Sequence, residues 1–115
     1  MRITFLGTGT SQGIPVIACK CSVCLSEDIN DKRLRTSVLI EVEGVSIVID
    51  TGPDFRQQML RADVQHLDAV IYTHAHKDHI AGLDDVRPFN FINDMEMPIY
   101  GEKNVLEPLK REFHY

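Results

Sequence analysis

The chain has 115 residues, 43% of them hydrophobic and 25% charged, with a formal net charge of −5. That length supports one domain, burying roughly 60% or more of its unfolded surface, with ordinary globular composition. The negative charge gives no general reason to bind nucleic acid or anionic lipid, and neither a leader-like h-region nor an apolar run of about 18 residues marks secretion or membrane insertion.

Residues Arg2 to Leu6 read as a short strand, with Ile3, Phe5 and Leu6 apolar. It runs into Gly7-Thr8-Gly9-Thr10-Ser11-Gln12-Gly13. The dinucleotide-binding spacing fails here, because Gln12 stands where the third glycine belongs and Gly13-Ile14-Pro15 opens a helix poorly. A glycine-rich loop at a strand end still lets backbone amides approach a ligand closely; the alternative is a flexible connection.

Cys19-Lys20-Cys21-Ser22-Val23-Cys24 then gathers all 3 cysteines of the chain. Thiolates at this spacing in a tight turn converge on one soft-ligand ion, usually zinc. Unrelated thiols or a redox pair are the alternatives. A structural zinc wants a fourth ligand, for which His66, His114 or a residue outside this chain are candidates. Three cysteines cannot all pair with one another, and clustered histidine and cysteine chemistry fits a reducing cytoplasm.

Leu25 to Arg35 is polar, with room for one helical turn, and its Lys32-Arg33-Leu34-Arg35 run reads as a solvated face or an attractor of phosphate. Val38–Val42 and Val45–Ile49 form two strands joined by a tight Glu43-Gly44 hairpin. Asp50 follows at the strand end, placed either to orient a metal-bound histidine or to cap a turn. Asp54 to Arg61 is predicted helical, with Asp54 and Gln57 as a capping box and Phe55, Met59 and Leu60 on one face.

Leu67 to Thr73 is a short apolar run with β-branched and aromatic character, a buried strand. It delivers His74-Ala75-His76-Lys77-Asp78-His79, four metal-ligating side chains in six residues. Ligands in open α/β sheets bind at the carboxyl ends of strands. His74 and His76, two apart in extended chain, point to the same side and can grip one ion. Asp78 and His79 follow after a turn, free to face a second. The helical zincin motif is excluded, since His76 and His79 are three apart without its glutamate.

Beyond the motif, Ile80 to Val86 is predicted as a short helix broken by Pro88, and Phe89, Phe91 and Ile92 as a small core cluster. Met97 to Tyr100 is a brief strand. Asn104 to Tyr115 is helical, with Asn104 and Glu107 as cap partners and Val105, Leu109 and Phe113 on one face. No repeat, low-complexity stretch or linker divides the chain, so residues 1–115 read as one unit.

His-x-His-x-Asp-His behind a hydrophobic strand resembles the signature of the metallo-β-lactamase-fold hydrolases. The resemblance implies an αββα sandwich, of mixed sheet and helices, and two divalent ions, zinc or manganese. His74 and His76 would hold metal one, Asp78 and His79 metal two, with Asp50 in support. Asp78 would also orient the nucleophile of a two-metal hydrolysis. Phe5-Leu6-Gly7-Thr8-Gly9 is similar to the first strand and loop of that fold, beside the metals.

The run from Gly7 to Pro15, followed by Cys-x-Cys-x-x-Cys, is similar to the cyclic phosphodiesterases of the carbon–phosphorus lyase pathway. It is also seen in the related pyrroloquinoline quinone biosynthesis protein. The tRNA 3′-processing endonucleases share the metal motif, lack the cysteine triplet and rank third. A small phosphodiester is the expected substrate. Members of the family are longer, and take a third histidine, a bridging Asp and a final histidine from a second half. The 115 residues therefore match the N-terminal half, expected to be a poor catalyst alone. One apolar sheet face would stay open, so a homo-oligomer is expected. A non-catalytic metal-binding module is the reading from another class.

Overall fold

The computed structural model describes residues 1–114. Five strands form one mixed sheet in the order β1-β2-β3-β4-β5. They are β1 (Arg2–Gly7), β2 (Ser37–Val42), β3 (Val45–Ile49), β4 (Ala69–Ile71) and β5 (Ile99–Tyr100). The first three pair antiparallel, and β3, β4 and β5 run parallel. The β2–β3 hairpin closes at Val42 and Val45, and Glu43 and Gly44 both take positive φ (51° and 80°), as a two-residue turn of matching twist requires.

Four helices follow in sequence: α1 (Phe55–Arg61), α2 (Lys77–Ile80), α3 (Arg87–Asn93) and α4 (Lys103–Glu112). They supply Phe55, Met59, Ile80, Phe89, Val105 and Leu109 to one core with Leu39, Val48 and Val70 of the sheet. Strand alternation sends the neighbouring residues to the other face. There Ile3, Phe5 and Tyr100 are 51%, 69% and 57% exposed, while Ile40, Ile47, Ile49 and Ile71 are partly covered. The expected open apolar face is thus present.

Several local expectations give way to tertiary context. β4 is three residues rather than seven, although Asp68 and Tyr72 still donate backbone hydrogen bonds across the sheet, to Ser46 and Tyr100. The polar stretch contains a single 3₁₀ turn at Ile29–Asp31. Asp54 does not cap α1, because its carboxylate is taken by the Arg35 backbone N–H (2.8 Å) and guanidinium (3.0 Å). Leu60 faces solvent while Phe55 and Met59 are buried.

Residues 80–86 are not one helix. The chain leaves α2, makes a 3₁₀ turn at Leu83–Val86 and opens α3, with Pro88 in its first turn, where a missing N–H costs nothing. Phe89 is core, but Phe91 and Ile92 are exposed, since α3 presents only one side to the sheet. α4 begins at Lys103, and no side-chain cap from Asn104 forms; Tyr115 lies outside the described residues. Among the described residues no helix is long and apolar enough to cross a membrane.

Candidate functional site

The parallel strands β3 and β4 release Asp50 and His74 at the same end of the sheet, where Asp50 donates its backbone N–H to the Ile71 carbonyl (2.9 Å). Asp50 is 3% exposed and sits at φ 63°. Its carboxylate accepts from the Thr73 backbone N–H (2.9 Å) and hydroxyl (2.7 Å), and pairs with His79 Nδ1 at 2.8 Å. Thr73 Oγ1 also contacts His74 Nδ1 at 2.9 Å. A buried carboxylate thus contacts His79 directly and His74 by way of Thr73. The two contacts occupy the Nδ1 atoms of His74 and His79, while His79 Nε2 faces the Asp78 carboxylate.

The three imidazoles pack together. The His74 ring lies 4.6 Å from that of His76 and 3.9 Å from that of His79, centroid to centroid. His79 Nε2 stands 3.2 Å from the Asp78 carboxylate. Asp78 and His79 lie in the single turn of α2, which brings the His79 ring beside that of His74.

The backbone around it is clamped. Thr51 donates to the His79 carbonyl and Gly82 to the Thr51 carbonyl, each at 2.8 Å. A Cβ on Gly52 would stand 2.3 Å from the Asp78 carbonyl, and one on Gly82 would stand 2.1 Å from the Gly52 carbonyl, so only glycines allow this approach. Tyr72 hydrogen-bonds Thr51 Oγ1 beneath the motif, and burial pushes its phenol well above the ordinary range, keeping it protonated. Sequence reasoning missed Thr73, Thr51 and Gly82; their positions flanking the Asp and His strand ends were the available signal.

The three cysteines also converge. The Sγ atoms of Cys19, Cys21 and Cys24 all lie within 4.8 Å of one another, and no histidine or carboxylate of the described residues joins them. His66 is held elsewhere, by Asp68 (2.7 Å) and Asn93 (3.2 Å), and His114 contacts the Arg111 carbonyl, so neither serves as the fourth ligand. The Cys21 thiol is lowered to about 7, chiefly by the Cys24 backbone N–H and then by the Cys19 thiol. Cys24 accepts from the Val16 N–H, yet burial and the two neighbouring thiols raise it. One ready thiolate and two close sulfurs suit zinc.

The glycine-rich loop does not offer a free row of amides. Gly9 donates to Leu34, Gly13 to Thr10 and Ile14 to Arg33, which braces the loop against the segment before β2.

Residues 46–115 match the family model described as a beta-lactamase superfamily domain. A protein of Porphyromonas gingivalis called octanoyltransferase is 50% identical over this whole chain, which covers 23% of that protein. The crystal structure of a diphosphatase from the PhnP family is 47% identical, with TM-score 0.94 over 98% of this chain and 46% of the other. Zinc-bound PqqB of Methylobacterium extorquens shares the fold at 23% identity, with TM-score 0.80 over 96% of this chain and 40% of the other. The chain spans less than half the length of each of these relatives. With this mixed sheet, its helices and its His-x-His-x-Asp-His strand exit, the chain belongs to the metallo-β-lactamase superfamily.

Proposed function

We propose that the chain contributes metal ligands to a metal-dependent phosphodiesterase, in a reducing cytoplasmic compartment, with a small phosphodiester as substrate. The observation that carries this reading is the Asp50–Thr73 network, which holds His74 and His79 by Nδ1, so that ligation would fall to their Nε2 atoms. His74, His76, Asp78 and His79 would hold the ions, zinc or manganese, by nitrogen and carboxylate donors of the right class. Such ions supply Lewis acidity, polarising a phosphoryl oxygen and bringing a water's pKa toward neutrality. Asp50 keeps the histidine tautomers suited to ligation, and the Gly52–Gly82 contact holds Asp78 against them. Likeness to a diphosphatase at 47% identity supports phosphorus–oxygen hydrolysis. Cys19, Cys21 and Cys24 would hold a structural zinc apart from that site.

A second reading, a non-catalytic metal-binding module, is favoured by one observation. Among the described residues the cysteines alone form a convergent group of three, while the histidine motif does not close to that distance. The test is elemental analysis with hydrolysis of an activated phosphodiester in manganese or zinc, for the natural chain and a His76→Ala/Asp78→Asn variant. Loss of metal and turnover together supports the hydrolase. Equal metal content in both would overturn the ligand assignment, and metal binding without turnover, even when the second half typical of the relatives is supplied, selects the module.

A further inference from the structure

Two arginines and a lysine meet at a cleft that the metal motif does not line. It has a volume of about 230 Å³, and its walls include Leu6, Thr8, Asn30, Lys32, Arg33 and Arg61. No carboxylate lines it. Each cation is anchored by a neutral oxygen: Arg33 Nη1 donates to Thr8 Oγ1 (2.9 Å), Arg61 to the Leu6 carbonyl and Lys32 to the Ser26 carbonyl. None of the three takes part in an ion pair among the described residues. By contrast Arg35, the last residue of the same basic run, is neutralised by Asp54.

Three like charges around a cleft that no carboxylate lines give it a positive field, although all three side chains are exposed and water screens their repulsion. That they gather in a chain of net charge −5 is therefore informative. One hydrogen bond holds each guanidinium in place and leaves further N–H donors for planar, two-pronged contact with an oxyanion. The Thr8 hydroxyl and Asn30 amide add neutral donors at the same wall. The cleft sits by Gly7, which pairs with Ser37 at the sheet end that also bears the metal motif. Strands β1 and β4 are three spacings apart, about 14 Å, so the two places are separate.

We propose that this cleft binds a phosphate monoester as its dianion. Three cations match two negative charges better than the single charge of a diester, and the terminal oxygens meet the forked donors. The cleft's charge does not depend on whether the chain hydrolyses anything.

The test is calorimetric titration of methyl phosphate and dimethyl phosphate at constant ionic strength. The chain carries His76→Ala/Asp78→Asn, which prevents the metal motif from capturing the probe. Methyl phosphate should saturate at one per chain, and Arg33→Gln should weaken it about tenfold or more, as loss of a charge-assisted contact does. Dimethyl phosphate should bind at least about tenfold more weakly. In the natural chain, amide resonances of Thr8, Asn30 and Arg33 should shift on titration with methyl phosphate. Equal binding of the two esters, no effect of Arg33→Gln, or shifts confined to residues 74–79 would each overturn the proposal.

Discussion

Replacing Asp50 tests whether the motif is held in place by this carboxylate. The side chain is nearly inaccessible and serves three partners at 2.7–2.9 Å. Asp50→Ala strands the Thr73 N–H, the Thr73 hydroxyl and His79 Nδ1 at once. Single contacts to a charged group are worth about 1.5–3 kcal/mol, but neighbours in one network do not add. A loss of about 3–5 kcal/mol is therefore expected, the range for breaking a buried charged pair, and a large share of a domain's 5–15 kcal/mol.

Alanine also inherits the left-handed backbone at φ 63°, so a second variant separates strain from charge. Asparagine tolerates that conformation. In Asp50→Asn the amide oxygen still serves the Thr73 N–H, while its NH₂ meets the Thr73 hydroxyl and His79 Nδ1 and reverses which nitrogen of the His79 ring carries the proton. His79 Nε2 then holds a hydrogen where a metal would bind, and affinity should fall about 10–100-fold with a smaller stability loss. Urea unfolding gives the first quantity. Zinc competition against a chromophoric chelator, in a Cys21→Ser background that removes the thiol site, gives the second. If Asp50→Ala lost under about 1 kcal/mol, and Asp50→Asn bound zinc as tightly as the parent, the buried carboxylate would not be positioning the motif.

Cys21→Ser should release about one zinc per chain. In the metal-free natural chain, Cys21 alkylation should rise through pH about 7, since the Cys24 N–H and the Cys19 thiol favour its thiolate; a midpoint in the ordinary thiol range would contradict this. The Ser46 N–H, and then His66, hold Asp68 below the usual carboxylate range. Its contribution to stability is accordingly complete above the ordinary value of 3.8 and is lost as pH falls through the lowered one, so Asp68→Asn should flatten the acid limb of the unfolding profile. Self-association through the open sheet face is expected, and Phe5→Glu with Ile40→Glu should shift sedimentation toward monomer; an unchanged oligomer would place the interface elsewhere.

The strands and the metal motif were legible because their signals are local. The β2–β3 hairpin follows from alternation and Glu43-Gly44, and the motif follows from ligand types placed after an apolar run. Asp50 stood out as a candidate supporting carboxylate only because it too ends a strand. What tertiary structure alone decided was partnership across distance. Whether Asp54 caps its own helix or binds Arg35 depends on a partner 19 positions away in the chain. The Gly52–Gly82 approach joins two loops whose separation no local pattern encodes. Leu60, Phe91 and Ile92 look like core by composition, but a helix packed on one layer buries a single stripe. The exclusion of His66 from the thiols is of the same kind: residue type names a possible ligand, and only the fold brings donors within reach of one ion.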